Sequence, residues 1–135
     1  SAVWGHVGDS RLYWFRRGKI VHQTKDHSVP QMLVDAGKLD PLKLRGHEDQ
    51  NRLTRALGQT GSLKTSVLSE PIVLQPGDAA LLCSDGIWTY VLELELEADW
   101  EKAASAAEYL ALLERRVLER AESEHDNYTA IAVRF

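Results

Sequence analysis

Residues Ala79, Ala80, Leu81, Leu82 and Cys83 form an unbroken apolar run that stops at Ser84, Asp85 and Gly86. A run this short, entered from the turn-forming sequence Gln75-Pro76-Gly77-Asp78, reads as a buried strand over 79–84. Gly86 allows a sharp turn directly after it, because no Cβ stands in the way. The consequence is chemical as well as structural. A strand of this kind holds one carboxylate, that of Asp85, rigidly at the edge of a core.

The rest of the chain supplies antiparallel partners and helices. Residues 2–7 read as a buried strand, Gly8-Asp9-Ser10 as a turn, and Leu12 to Phe15 as an aromatic-rich second strand. Arg17-Gly18-Lys19 closes a hairpin onto Ile20–Thr24, which predicts a three-strand meander. Asp26, His27 and Ser28 open a helix, with Ser28 or Asp26 as cap, Pro30 in its first turn and Gly37 at its end. Residues 38–50 are polar and broken by Pro41 and Gly46, and predict a short helix in an exposed flap. Arg52 to Leu57 is extended, and 63–74 is a strand or bent pair with Pro71 at an edge.

Trp88 to about Leu96 predicts a short helix, although Glu93, Glu95 and Glu97 alternating with leucines imitate a strand. Residues 101–121 carry the clearest helical stripe, through Tyr109, Leu110, Leu113, Val117 and Ala121. The last strand, 128–135, alternates Ala130, Ala132 and Arg134 with Thr129, Ile131, Val133 and Phe135. Antiparallel strands with two or three helices, and no regular βαβ alternation, give one α+β domain over 1–135.

Composition excludes several classes. With 16 Lys+Arg against 20 Asp+Glu, the net charge of −4 argues against a nucleic-acid partner. The single cysteine, Cys83, permits no internal disulfide and fits a reducing, cytoplasmic compartment. No apolar run reaches membrane-spanning length, so no membrane partner is expected.

Three aspartates share one context. Asp9, Asp85 and Asp126 each sit at a strand end beside small or turn-forming residues. Carboxylates brought together raise one another's pKa unless a cation joins them. Hard divalent ions such as Mg²⁺ or Mn²⁺ take oxygen ligands of this kind. Two such ions about 3.5–4 Å apart can activate a water for in-line attack on a phosphoryl group. The plainer reading is that all three are turn-formers, since aspartate hydrogen-bonds its own backbone.

Six words occur in order: Val7-Gly8-Asp9-Ser10-Arg11; Asp26-His27-Ser28; Leu53-Thr54-Arg55-Ala56-Leu57-Gly58; Gly77-Asp78; Cys83-Ser84-Asp85-Gly86-Ile87-Trp88; and Asp126-Asn127-Tyr128-Thr129. Together they resemble the metal-dependent protein Ser/Thr phosphatases (the PPM family, type 2C), most like the compact bacterial members, over their C-terminal half or more. The resemblance implies an antiparallel β-sandwich flanked by helices in four layers (α-β-β-α), incomplete at the N-terminus, with a flap at about 29–50. It implies that Asp85 and Asp126 are ligands of a two-metal Mn²⁺ or Mg²⁺ centre, and that Asp9 serves a third, weaker metal. Asn127 and Gly86 would support that geometry.

It further implies hydrolysis of phosphoserine and phosphothreonine in proteins through a metal-bridging water, with a Ser/Thr kinase or its targets as partners. The family's bridging Asp-Gly pair and phosphate-gripping Arg have no counterpart here, so no catalytic residue is assigned within this chain. Arg11 is expected in a structural ion pair and Arg55 in support of the core. The missing parts are expected upstream in a longer protein. Without them the alternative is a degenerate domain acting as a non-catalytic binding or regulatory module.

The remaining candidates carry less. Histidines 6, 22, 27, 47 and 125 show no ligand spacing. His125, beside Asp126, reads as an acid, as a support behind the ligands, or as an exposed turn histidine. His27 reads as a hydrogen bonder at the helix entry, Cys83 as a buried structural thiol, and Trp88 as a core or helix anchor.

Overall fold

A computed structural model describes residues 1–135. The aromatic segment over Arg11–Arg16 forms strand β2, flanked on one side by β3 (Lys19–Gln23) and on the other by β5 (Ala79–Cys83). β6 (Ala130–Arg134) lies beyond β5, so the sheet runs β3-β2-β5-β6 and is antiparallel throughout. The β2–β3 hairpin turns through Arg17 (φ 51°) and Gly18 (φ 75°), the paired left-handed conformation that suits two-residue connections.

Register divides the sheet into two faces. Tyr13 pairs with Leu81, and Leu81 with Ala132; Phe15 pairs with Ala79, and Ala79 with Arg134. This face carries the helices. Phe15 stacks on Trp100 at 5.3 Å and meets Tyr109 edge-on at 6.2 Å. Tyr13, Phe15, Leu81 and Tyr109 are wholly buried, each contributing about 1.5–3 kcal/mol of transfer free energy. The small side chains of Ala130 and Ala132 therefore look toward the helices. Leu82, Ile131 and Val133 are on the opposite face and remain 42%, 61% and 36% exposed.

The helix layer consists of α2 (Asp85–Trp88), α3 (Glu93–Lys102) and α4 (Ala106–Arg120). Ser105 caps α4 by accepting from Glu108 N–H at 3.1 Å, while the Glu108 carboxylate reaches back to Ala104 N–H at 2.8 Å. Tyr109, Leu113 and Val117 are buried at helical spacing, as the stripe predicts. Arg116 grips buried Asp99 through two bonds of 2.5 and 2.8 Å, and Arg116 and Arg120 both hold Glu95. This charge network staples α3 to α4.

The chain divides into two compact units. The sheet and helices just described make up Arg11–Thr24 with Val73–Phe135; the other unit is Ser1–Ser10 with Lys25–Ile72. In that unit β1 (Gly5–His6) pairs with β4 (Ser66–Val67). Helix α1 (Val29–Asp35) starts at Ser28, whose hydroxyl accepts from Gln31 N–H, with Pro30 in the first turn as expected. A single 3-10 turn, Pro41–Lys43, is the only helix within 38–50.

Several sequence expectations are corrected. The strand at 2–7 shrinks to Gly5–His6 and is not buried, with Val3 59% exposed. The three-strand meander does not form, because β1 takes β4 rather than β2 as its partner. The strand over 63–74 is reduced to Ser66–Val67 plus a bridge from Ile72 to Ala2. The helix expected from Trp88 to Leu96 is two helices, 85–88 and 93–102. The last helix begins at Ala106 rather than 101, where Ser105 provides the cap.

Candidate metal centre

Asp85 is placed by the end of the β5–β6 ladder. Cys83 pairs with Ala130, and the pairing continues one residue further: Ser84 N–H donates to Thr129 O at 3.1 Å, and Thr129 N–H donates to Ser84 Oγ at 3.1 Å. Ser84 is still extended (φ −76°, ψ 170°), and Asp85 begins α2 directly after it. The strand therefore delivers Asp85 to the first turn of the helix, where a negative charge is favoured. Its Oδ1 accepts from Gly86 N–H at 3.0 Å.

Gly86 explains how the second aspartate is held nearby. A Cβ built on Gly86 would stand 2.3 Å from Asn127 O and 3.0 Å from Tyr128 Cα. The 126–128 segment thus lies directly on the Gly86 backbone, an approach only glycine permits. Asp126 is one residue away on that segment, exposed, with Oδ1 accepting from Asn127 N–H at 2.8 Å. Asp85 and Asp126, forty-one positions apart, are thereby tied to abutting stretches of backbone. Each also makes the local bond expected of a turn-forming aspartate.

The surroundings are built to hold that loop. Tyr128 Oη donates to Glu114 of α4 at 3.0 Å. His125 Nδ1 donates to Asp126 O at 2.8 Å, and its ring is exposed. His125 thus bonds the Asp126 backbone. Cys83 is buried, as expected of a structural thiol. Trp88 is buried beneath the Arg11 guanidinium, which sits 3.7 Å from its ring centroid. Arg11 also pairs with Glu93 at 3.4 Å, the structural ion pair the sequence predicts.

Asp9 belongs to the other unit, immediately after Gly8, which is buried and has φ +94°. Arg55, half-buried, has Nη1 3.4 Å from His27 Nε2. His27 bonds both the N–H and the C=O of Gly8, a contact that Gly8-Asp9 and Asp26-His27, standing apart as separate words, do not reveal in the sequence.

Carboxylate oxygens are the donors that Mg²⁺ and Mn²⁺ prefer, so Asp85 and Asp126 fit such ions in kind. They do not fill a shell. Nowhere in the chain do three or more His, Cys, Asp or Glu side chains come together as a metal site.

No family model matches the sequence. Protein phosphatase PhpP of Streptococcus pneumoniae is 34% identical over 97 residues, covering 71% of this chain and 38% of PhpP. Serine/threonine phosphatase Stp1 of Staphylococcus aureus superposes with a TM-score of 0.86 at 27% identity, over 98% of this chain and 51% of that one. The catalytic domain of the serine/threonine phosphatase PstP, solved with two manganese ions, gives a TM-score of 0.72 at 28% identity, over 98% and 54%. The chain spans 38% of the length of PhpP and about half of the solved neighbours. In sequence and in fold it is similar to one portion, about half in length, of the PPM-type (type 2C) protein Ser/Thr phosphatases.

Proposed function

We propose that the protein containing this chain is a divalent-metal-dependent phosphatase of phosphoserine and phosphothreonine in proteins, and that this chain supplies one wall of its metal site. The observation that carries the reading is the overlap at Gly86, which ties Asp85 and Asp126 to touching segments of backbone. Two fixed carboxylates at the rim of a rigid sheet are suited to holding Mn²⁺ or Mg²⁺. When bound, such ions supply positive charge for the phosphoryl oxygens and for a bridging water. The roles of this chain are to fix the two carboxylates and to keep their loops in register. Asp9 is assigned to a third, weaker ion. Asn127 and Gly86 act on the loops rather than on the ion, as do the sheet and helices behind them.

The substrate is a phosphorylated protein, a Ser/Thr kinase or its targets, with the cytoplasm as the setting. In this structure no helix is long and apolar enough to cross a membrane. Residues 1–135 are read as part of one phosphatase domain, with 29–50 as its flap.

The test uses the full-length protein with Mn²⁺ and a phosphothreonine peptide. Hydrolysis is expected, and Asp85→Asn or Asp126→Asn is expected to lower kcat/KM by at least a hundredfold. Unchanged activity in both variants would overturn the assignment. The second reading, left open by the want of an Asp-Gly pair and a phosphate-gripping Arg in this chain, is a truncated or degenerate phosphatase domain acting as a non-catalytic binding or regulatory module. Lack of Mn²⁺-dependent hydrolysis by the full-length protein, with retained binding of the phosphopeptide, would select it.

A further inference from the structure

The turn before Asp9 is held by one residue. His27 N–H donates to Gly8 O at 2.8 Å, and Gly8 N–H donates to His27 Nδ1 at 3.1 Å. Both backbone polar groups of Gly8 are thus satisfied by His27. Gly8 is buried and left-handed, so its N–H has no helix or strand ladder to fall back on. His27 is itself locked in place. Its carbonyl accepts from Thr54 N–H at 2.8 Å, and its ring stacks on His6 with centroids 4.5 Å apart and planes 12° from parallel. His6 Nε2 in turn bonds Lys25 O at 2.8 Å.

The bond from Gly8 fixes the tautomer. An Nδ1 that accepts carries no proton, so the neutral ring has its proton on Nε2, and Nε2–H donates to Ser66 Oγ at 2.8 Å. Burial first, then the charges of His6 and Arg55, hold the ring's pKa below the ordinary histidine value, with Asp26 opposing. The neutral acceptor form is therefore the resting one.

We propose that His27 is a positioning residue for Asp9: through Nδ1 it holds the Gly8 N–H, and so sets the direction in which the Asp9 carboxylate leaves the turn. This inference rests on the assignment of Asp9 to a divalent cation. Its chemistry is that of an acceptor at one point in space, and not of ring volume.

Two substitutions separate those properties. His27→Phe keeps a ring for His6 to stack on and removes the acceptor. His27→Asn loses the ring and places Oδ1 near the position of Nδ1. In the full-length protein, His27→Phe is expected to raise the Mn²⁺ concentration for half-maximal hydrolysis about tenfold, the equivalent of one backbone hydrogen bond. The Gly8 amide is expected to exchange with solvent about tenfold faster. His27→Asn is expected to stay within about twofold of the parent in both.

Equal behaviour of the two variants, or a Phe variant that leaves Gly8 exchange unchanged, would overturn the proposal. A third readout needs no variant: nitrogen NMR of the His27 ring at neutral pH is expected to show Nε2 protonated, and a protonated Nδ1 would overturn the proposal by itself. Asp9→Asn distinguishes the two assumptions. If it raises the Mn²⁺ requirement and His27→Phe does not, the His27 proposal alone falls. If it has no effect, the assignment of Asp9 falls and takes His27 with it.

Discussion

At Gly86 the packing of the 126–128 segment depends on a single missing methyl group. Alanine there would put Cβ against Asn127 O and Tyr128 Cα, which are backbone atoms and cannot rotate away. The 126–128 loop must shift, and Asp126 with it. Gly86→Ala is expected to cost about 1–3 kcal/mol of stability, in the range of overpacked interiors. In the full-length protein it should also raise the Mn²⁺ requirement, while the secondary structure seen by circular dichroism stays unchanged. An alanine variant as stable and as metal-responsive as the parent would contradict this. From the sequence, Gly86 reads as a residue that lets the chain turn after a strand. Its actual constraint is a close approach by a segment forty residues downstream, which no local pattern reveals. Asp85 and Asp126 stand out in sequence as strand-end carboxylates, but the backbone contact between Gly86 and the 126–128 segment does not.

Elements with local causes were the readable ones. Helix α4 follows from its buried stripe and Ser105 cap, α1 from Ser28 and Pro30, and the β2–β3 turn from Arg17-Gly18. Strand β1 was misread because its partner lies sixty residues away, and an apolar hexapeptide does not announce where it will pair. The turn at 75–78 hides a tertiary anchor of the same kind. Asp78 is 1% exposed, and Arg16 holds it at 2.9 and 2.7 Å while Gln75 N–H adds a bond of 3.0 Å.

The hydrogen bonds from Arg16, followed by that from Gln75, hold the Asp78 carboxyl at about 2, below its ordinary 3.8. Glu95, held by Arg120 and by Leu92 N–H, is also lowered to about 2. A carboxylate whose folded pKa is depressed stabilises the fold fully above its unfolded pKa. That stability is lost as pH falls toward the folded value. Thermal melts of the chain should therefore hold level down to about pH 5 and drop between about pH 4 and pH 2. Asp78→Asn should melt lower at neutral pH and show a shallower acid drop. A variant whose melting temperature tracks the parent at every pH would remove Asp78 from this account.

At the scale of the molecule, the four-stranded sheet has helices on one face and a different fate on the other. Leu82, Ile131 and Val133 adjoin across β5 and β6, and all are substantially exposed. β6 is also an edge strand, with backbone groups open to pairing. An apolar face of this kind belongs in a sheet-on-sheet interface, and the solved neighbours are about twice this chain's length. The alternation of Ile131 and Val133 with Ala130 and Ala132 was legible, but not which side met the helices. Only the register, which sets Ala132 beside Leu81 and Tyr13, decides it.

The 135-residue chain by itself is expected to cover this face by self-association and to bind a hydrophobic dye such as ANS at low micromolar concentration. Ile131→Lys places a charge at its most exposed point, 61% open. The variant should fold as well as the parent, sediment closer to the monomer, and lose most of the dye signal. In the full-length protein the same substitution should do the reverse and lower the melting temperature, because the charge would then lie inside a packed interface. A chain that is monomeric and dye-silent without the substitution, and a full-length protein indifferent to it, would mean that this face is an ordinary surface.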